Sequence, residues 1–348
     1  MSTRQYSPLG QLVLARLREF FRQPEVVFWV YGFPILLVVA LGMAFRNKPV
    51  EHIAVSVQNG QYTQPVAEAL SANARFQVQR CDADACRLRL RTGRTDLVVI
   101  AEAGPHYQYS YDPTRAESVM ARSAVDDALQ RAAGRKDIAS TNDKELAEPG
   151  ARYIDFLVPG LLGMGLMGGG LWGVGFVIVD MRIRKLLKRF IATPMKKYQF
   201  LAGIMFSRFL FMIPEIVILL LFAWLVFGVR VQGSIFAVMF FVFLGAFTFA
   251  GIGLLVASRA NTVETVSGLM NLVMLPMWIA SGIFFSSDRF PAGVQPLIKI
   301  LPLTPLINAL RAVILEGTSL VQLWPQIVVL SIWGVVTFAL ALRWFRWM

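Results

Sequence analysis

The chain has 348 residues, of which 56% are hydrophobic, and its mean hydropathy is +0.56. Because soluble domains are about 45–50% apolar, this composition excludes an ordinary soluble protein and indicates a membrane protein. Two Cys and two His leave little room for a metal centre or a disulfide-rich scaffold.

The net charge of +12 is unevenly distributed along the chain. Residues 46–150 hold 14 basic and 14 acidic residues, so the whole excess lies in the apolar segments and their short loops. This distribution is typical of membrane orientation rather than of a basic groove for phosphates. We therefore expect membrane lipids, and no nucleic acid, among the partners.

Residues 1–23 precede the first apolar run and predict a helix that lies in the cytoplasmic membrane interface. On a helical wheel, the charged residues fall elsewhere, while the apolar residues share one side: Val13, Leu14, Leu17, Phe20 and Phe21. Pro24 separates this helix from the first apolar run, because proline ends or kinks a helix.

Six apolar runs are each long enough to cross a membrane, because a helix needs about 20 residues to span a hydrocarbon core about 30 Å thick. They are Val26–Phe45, Ile154–Val179, Phe200–Phe227, Ile235–Ala257, Val266–Phe285 and Leu320–Leu342. The predicted fold class is an α-helical polytopic membrane protein. Its first transmembrane helix lies in residues 24–45, and five further ones lie in residues 151–348.

Residues 46–150, between the first two runs, alternate strand-like and helix-like patterns, which predicts a small α/β domain inserted after the first span. This domain holds both cysteines, Cys81 and Cys86. A disulfide between them is chemically permitted outside the cytoplasm, and two free thiols are an equally acceptable alternative.

The charge of the loops predicts the direction of the spans. The connection 180–199 carries seven basic residues and a single acidic one, and the segments before the first span and after the last are also basic. With six spans, these three segments lie on one side of the membrane, which should be the cytoplasm. Both termini are therefore predicted to be cytoplasmic, and residues 46–150 to be extracytoplasmic.

The basic segment 181–195 is amphipathic when it is placed on one helix. Arg182 begins a basic arc, and the opposite arc is apolar. The apolar side chains are Ile183, Leu186, Leu187, Phe190 and Ile191. Either this helix is an anchor on anionic lipid headgroups, or its apolar side enters a groove on a cytoplasmic partner.

Two longer motifs resemble the ABC-2 type transporter permeases. DFLVPGLLGMGLMGGGLWGVGFVIVDMRIRKLLKRFIATPM, residues 155–195, is similar to the second span and the following helix of that family. NLVMLPMWIASGIFFSSDRFPAGVQPLIKILPLTPLINALRAVILEG, residues 271–317, is similar to its fifth span and outer re-entrant segment. The resemblance covers essentially the whole chain, and it implies that residues 286–318 are the re-entrant segment, with two short helices.

The resemblance implies that segment 181–195 is a coupling helix, which sits in a cleft of an ATP-binding subunit. Its coupling residues would be Arg182, Ile183, Leu186, Leu187, Phe190 and Ile191. Two copies of that subunit are implied, together with a second permease, identical or paralogous, in the inner membrane of a bacterium. No Gly-Lys pair occurs in the sequence, so a P-loop is missing. We therefore expect a chain that is not an enzyme and holds no cofactor, with ATP and Mg²⁺ bound by the partner.

Glycines and one carboxyl group stand out within the apolar runs. Gly165, Gly169 and Gly173 recur at a four-residue spacing that lets helix backbones approach closely. They predict either tight packing against a neighbouring span or a pliable helix beside the transport path. Glu215 lies at membrane depth, seven residues after Arg208, which favours either a structural pair or a contact with substrate.

The predicted function is the membrane-spanning permease subunit of an ATP-driven exporter. It would move an amphipathic substrate, such as a drug, lipid or glycan-like molecule, out of the cytoplasm or the inner leaflet. The alternative is a membrane-anchored sensor that binds a ligand with residues 46–150 and transports nothing. An intramembrane enzyme is disfavoured, because His52 and His106 both lie outside the apolar runs.

Overall fold

The structure is a computed structural model that describes residues 8–44, 52–104, 106–136, 152–191 and 197–344. The chain divides into two compact units. One, the helical unit, is built from Met1–Arg46 and Ala147–Met348, and the other, the inserted unit, is Asn47–Leu146.

Within the described ranges, six helices are long and apolar enough to cross a membrane. We number them spans 1 to 6: Pro24–Ala44, Tyr153–Ile183, Gln199–Phe227, Ile235–Ala257, Val263–Ala280 and Trp324–Trp344. The prediction of six spans is therefore confirmed. Span 5 ends before the predicted Phe285, because the chain bends after Ala280 and Gly282 takes a left-handed conformation, with φ of 83°.

Two arginines show which ends of the spans lie together. At the start of span 2, Arg152 Nη1 donates a hydrogen bond to the carbonyl oxygen of Phe227, the last residue of span 3, at 2.8 Å. At the end of span 2, Arg182 Nη1 donates to the carbonyl oxygen of Ala257, the last residue of span 4, at 2.9 Å. Spans 2, 3 and 4 therefore alternate in direction. We call the two ends of the bundle the Arg152 end and the Arg182 end.

Spans 2 and 4 are the most buried and form the centre of the helical unit. They approach each other backbone to backbone. A Cβ atom placed on Gly175 would lie 2.4 Å from the carbonyl oxygen of Gly253, and one placed on Gly253 would lie 2.5 Å from that of Gly170. Any larger residue would collide with main chain there, so this contact requires glycine.

Spans 1 and 2 each contain a π-helical turn, at Phe28–Gly32 and Leu171–Phe176. A π turn inserts an extra residue into an α-helix and leaves local hydrogen bonds weaker, which makes it uncommon in a purely structural helix. Such turns are frequent at functional sites, and both of these border the cavities described below.

The N-terminal helix, Pro8–Phe21, packs along the beginning of span 3. Leu12 lies over Gly203, where a Cβ atom would come within 2.7 Å of the leucine side chain. Phe20 stacks on Phe211, with ring centroids 4.2 Å apart. The helix is therefore attached to the bundle through Leu12 and through Phe20, which belongs to the predicted apolar face.

The bundle covers only part of that predicted face, since Val13 is buried and Phe20 contacts span 3. Leu14 and Phe21 are exposed in the chain, and Leu17 is half-buried. The helix thus has apolar side chains on two sides, one for span 3 and one that nothing in the described chain covers. Residues 1–7 of the predicted interface helix lie outside the described residues.

The basic segment does not form the single helix that the amphipathic pattern predicted. Span 2 continues as helix to Ile183, and a turn at Arg184 and Lys185 follows, in which Lys185 has a positive φ of 58°. A short helix, Leu186–Ile191, begins after the turn. A left-handed residue interrupts the helical register, so the side chains before and after it do not share one continuous face.

The inserted unit is a four-stranded sheet in the order β2–β1–β3–β4. Its strands are β1 (Ile53–Gln58), β2 (Phe76–Cys81), β3 (Leu97–Ala101) and β4 (Tyr107–Ser110), and its helices are Thr63–Ser71, Ala83–Arg91 and Ala116–Ala132. β1 is parallel to β2 and β3, while β4 is antiparallel to β3. Strands and helices alternate from β1 to β3, as the sequence pattern predicted, and β4 follows β3 directly.

Cys81 and Cys86 form a disulfide, which the sequence had left open. Cys81 ends β2, Cys86 lies on the following helix, and both sulfurs are buried against Val98 of β3. The bond therefore closes a short loop over one edge of the inserted unit.

Replacing Cys81 and Cys86 together with alanine should lower the free energy of unfolding of this unit by about 2 kcal/mol, because a short covalent loop no longer restricts the unfolded chain. Thermal unfolding of the purified full chain measures the change. As a direct check, maleimide should label neither thiol of the unreduced, denatured protein and both thiols after reduction. Labelling of two thiols without reductant would show that the bond is not formed.

Segment 286–318 contains a turn at Ser287–Arg289 and two helices, Gln295–Ile300 and Leu303–Glu316. The second helix is largely buried against the spans. Its Arg311 lies 3.5 Å above the ring of Phe156 and donates hydrogen bonds to the carbonyl oxygens of Phe156 and Gly282. This arginine thus joins the start of span 2 to the bend after span 5.

Candidate functional site

A buried ion pair lies inside span 3. Arg208 Nη2 is 3.0 Å from Glu215 Oε2, and the two side chains are only 9% and 10% exposed. Seven residues are two helical turns, so both groups project from the same face. Removing two charges from water costs several kcal/mol each, which makes an intramembrane pair of this kind a candidate for function.

The glycine row of span 2 makes room for this pair. A Cβ atom on Gly169 would lie 1.5 Å from Arg208 Nη2, and one on Gly165 would lie 2.3 Å from Glu215 Oε1. One on Gly173 would lie 3.1 Å from Arg208 Cδ. The predicted site residues Gly165, Gly169, Gly173 and Glu215 therefore belong to one site, in which glycines face charged side chains rather than another backbone.

The pair lies between two cavities of the helical unit. The larger has a volume of about 580 Å³ and lies towards the Arg182 end, where Arg16, Glu19 and Asp180 line it. Deeper inside, its walls are mainly aromatic, and Arg208 is its charged side chain at that depth. The aromatic residues are Phe20, Trp29, Trp172, Phe176 and Phe211.

The smaller cavity, of about 410 Å³, lies further towards the Arg152 end. Spans 1, 2, 3 and 5 line it, and Glu215 is its charged side chain. The two cavities share the side chains of Trp29, Val30 and Trp172 as walls. The two cavities lie one after the other along the spans. The guanidinium of Arg208 lines the larger cavity, and the carboxyl group of Glu215 lines the smaller one.

Hydrogen bonds hold the walls at this junction. Tyr31 Oη donates to the carbonyl oxygen of Phe211 at 3.1 Å, which links span 1 to span 3. Trp172 Nε1 donates to Met274 Sδ at 3.2 Å, which links span 2 to span 5. Cavities of a few hundred cubic ångströms with apolar walls and a few placed polar groups are typical of small-molecule sites.

Arg182, whose contact with an ATP-binding subunit stays a prediction, is bound within the chain. Its guanidinium is half-buried and donates to the carbonyl oxygens of Ala257 at 2.9 Å, Ala260 at 2.6 Å and Ser258 at 3.4 Å. These are the free carbonyls at the end of span 4, where a positive charge is favoured. Arg182 is thus an internal cap that joins spans 2 and 4.

The other predicted coupling residues are divided by the turn at Lys185. Leu187 is 1% exposed and lies in the core of the helical unit, and Leu186 is partly buried against that core. Ile183 is 42% exposed. The side chains of Phe190 and Ile191 lie outside the described residues, as do residues 192–195. Leu187 therefore packs within this chain, and its predicted contact with a partner stays a prediction.

Two spacings in the sequence point to this site. The seven-residue spacing links Glu215 to Arg208, whereas the glycine row alone predicts either tight packing against a neighbouring span or a pliable helix. A row of glycines at a four-residue spacing and two charges at a seven-residue spacing have matching lengths, about 12 and 10.5 Å at 1.5 Å per residue. That match is a signal that the two faces oppose each other.

Comparison with known proteins agrees with the membrane assignment. A family model described as ABC-2 family transporter protein matches residues 24–343. The inner membrane transport permease YhhJ of Escherichia coli is 31% identical over 121 residues, which are 35% of this chain and 32% of that protein. The chain thus spans about a third of the length of this relative.

Two further relatives share longer stretches. The linearmycin resistance permease protein LnrN of Bacillus subtilis is 26% identical over 171 residues, 49% of this chain and 44% of that protein. ABC transporter G family member 20 of Dictyostelium discoideum is 28% identical over 189 residues, 53% of this chain and 26% of that protein. Since the family match runs through all six spans, the chain belongs to the ABC-2 family of transporter membrane proteins.

Proposed function

We propose that the chain is the membrane-spanning permease subunit of an ATP-driven exporter, which moves an amphipathic cargo out of the cytoplasm or the inner leaflet. The observation that carries this proposal is the pair of successive cavities between the spans, with a buried ion pair at their junction. The aromatic walls of the larger cavity suit the apolar part of a cargo molecule, and the few charged side chains suit its polar group. Family membership supports it, because ABC-2 permeases generally work with an ATP-binding subunit.

The Arg182 end faces the cytoplasm in this proposal, and the membrane is the inner membrane of a bacterium. Basic residues at that end support the orientation, because cytoplasmic loops carry an excess of Lys and Arg. The inserted unit then lies outside the cytoplasm. Its Cys81–Cys86 disulfide supports this, since such bonds persist in oxidising compartments and are rare in the cytosol.

Two ATP-binding subunits would dock at the Arg182 end and hold ATP and Mg²⁺. The turn at Arg184 and Lys185 with the helix Leu186–Ile191 would form the docking element, together with the N-terminal helix. The exposed side chains at this point of the described chain are Ile183, which ends span 2, and Arg184, Lys185, Lys188 and Arg189. A second permease, identical or paralogous, would complete the transport path beside the exposed apolar face of span 5.

Replacing Ile183 with aspartate tests the docking element. We expect at least about tenfold weaker association with the ATP-binding subunit encoded beside this chain, because a central apolar contact at an interface is typically worth more than 1 kcal/mol. Co-purification and ATPase activity in bilayer discs measure the effect. Leu187 is unsuitable for this test, because it is buried within the chain.

The matched control is Val321→Asp, which places the same charge on an exposed aliphatic side chain at the Arg152 end. It should leave the association unchanged. If Ile183→Asp binds the ATP-binding subunit as tightly as the control does, this segment is not the docking element. If the unmodified chain neither binds nor stimulates that subunit, the exporter proposal is wrong.

The alternative function, a membrane-anchored sensor, would use a polar cavity of about 420 Å³ in the inserted unit. His106, Tyr109, Asp126 and Arg135 line it. Tyr109 donates to Asp126 at 3.1 Å, and burial together with this carboxylate raises the pKa of the phenol well above its usual range. Ligand binding there without any ATP-binding partner would favour the sensor.

A further inference from the structure

We propose that Arg208 binds an acidic group of the cargo in the larger cavity, so that the transported molecule is an acidic amphiphile. The acidic group would be a carboxylate, phosphate or similar oxyanion, and the apolar body would lie among the aromatic walls. This inference rests on the proposed function, because it names the class of cargo for the same cavity.

The first observation is that the hydrogen bonds of Arg208 come from a single nitrogen. Nη2 donates to Glu215 Oε2 at 3.0 Å and approaches the carbonyl oxygen of Gly165 at 3.5 Å. Among the described residues, neither Nε nor Nη1 of Arg208 has an acceptor. A guanidinium has five N–H donors, so the one on Nε and the two on Nη1 remain available. The side chain is 9% exposed and lines the larger cavity, so these remaining donors are open to an acidic group that enters that cavity.

The second observation is the arrangement of the counter-charge. Glu215 lines the smaller cavity, and its Oε2 is engaged by Arg208. Glu215 therefore holds the guanidinium in place from one side and leaves the other side positive towards the larger cavity. A cation that reaches the depth of Arg208 is repelled, whereas an oxyanion finds the planar fork that arginine offers to carboxylate and phosphate.

The third observation is the shape of the cavity. Its charged mouth at the Arg182 end, with Arg16, Glu19 and Asp180, leads to aromatic walls and then to Arg208. A volume of about 580 Å³ suits a drug-sized molecule. An elongated molecule with an acidic head and an apolar body can therefore place its head at Arg208 and its body against Trp29 and Trp172.

Binding of a fluorescent acid to the full chain tests the proposal. The probe is dansyl-undecanoic acid, and the matched neutral probe is its methyl ester, both titrated against the purified chain in phosphatidylcholine bilayer discs. We expect the acid to bind at least about tenfold more tightly than the ester, because hydrogen bonds to charged groups at a buried site contribute that much or more. Equal affinity of acid and ester for the unmodified chain would overturn the proposal without any variant.

The double variant Arg208→Gln/Glu215→Gln removes both charges together, so neither is left buried alone. It should reduce binding of the acid to the level of the ester and leave the ester unchanged. Unchanged binding of the acid would place the site elsewhere. Arg208→Lys, which keeps the charge and loses the planar fork, should retain part of the preference.

Discs that contain phosphatidylglycerol distinguish two sources of the acidic group. If the acidic lipid competes with the acid probe, the occupant is a lipid headgroup; if it does not, the occupant is a soluble amphiphile. Both outcomes place an oxyanion at Arg208. Binding of the ATP-binding subunit is measured on the same preparation, so that loss of acid selectivity with that association intact refutes this inference alone.

Discussion

Replacing Gly169 with alanine is expected to destabilise the helical unit by about 3–5 kcal/mol, although the change adds a single methyl group. The added Cβ would lie 1.5 Å from Arg208 Nη2, within the space that the guanidinium occupies. Arg208 would have to leave its position beside Glu215, and separating a buried ion pair carries a cost of this size. Unfolding of the purified chain in mixed micelles, followed with increasing dodecyl sulfate, measures the loss.

Gly168→Ala is the matched control for this prediction. It is the neighbouring residue on the same helix, and a Cβ atom there meets nothing within 4 Å. We expect no loss of stability, since alanine is the better helix former by about 1 kcal/mol in water. If both alanine variants unfold at the same concentration of dodecyl sulfate, the glycine row does not accommodate the ion pair.

Replacing Arg182 with alanine is expected to lower stability by about 1.5–3 kcal/mol, the usual range for hydrogen bonds to a charged group. The variant loses the bonds to Ala257, Ser258 and Ala260, which leaves the carbonyls at the end of span 4 without their cap. Because those bonds join spans 2 and 4, the ends of the two spans should also become accessible to proteolysis. Unfolding in mixed micelles and limited proteolysis test this.

Arg184→Ala provides the comparison, because it removes the same charge two residues further along. The Arg184 side chain is 68% exposed and pairs with Asp180 at 2.9 Å. An exposed pair at this spacing is worth about 0.3–0.5 kcal/mol, so the loss should be several times smaller than for Arg182. If Arg182→Ala and Arg184→Ala lose the same stability, the positive charge at the Arg182 end stabilises the chain and the cap on span 4 does not.

The spans were predictable because a membrane imposes one simple requirement, a run of about 20 apolar residues, and six runs in the sequence meet it. The sheet of the inserted unit was predictable from alternating patterns for a similar reason. The break in the helix at Lys185 was not predictable from the sequence. Helical periodicity around Arg182–Ile191 was uninterrupted, and a left-handed lysine has no compositional signature such as glycine would supply.

The candidate site was predictable only in parts. Glycine spacing shows that something approaches span 2 closely, yet it does not show whether the neighbour is a backbone, as at Gly253, or a side chain, as at Arg208. The opposite roles of Arg182 and Ile183 were hidden as well. Both belong to one basic amphipathic pattern, and only tertiary contacts with the end of span 4 separate the internal cap from the exposed side chain.

The glycine contact between spans 2 and 4 has a consequence for motion. Two helices whose backbones touch at Gly175 and Gly253, and whose ends are tied by Arg182, have no freedom to slide past each other without losing main-chain contact. Spans 2 and 4 therefore form the rigid centre of the helical unit. We therefore expect span 1 to be the helix that moves when the cavities change shape, because it is the least buried span and carries a π turn. Its Tyr31 is held to span 3 by one hydrogen bond, which a small displacement would release.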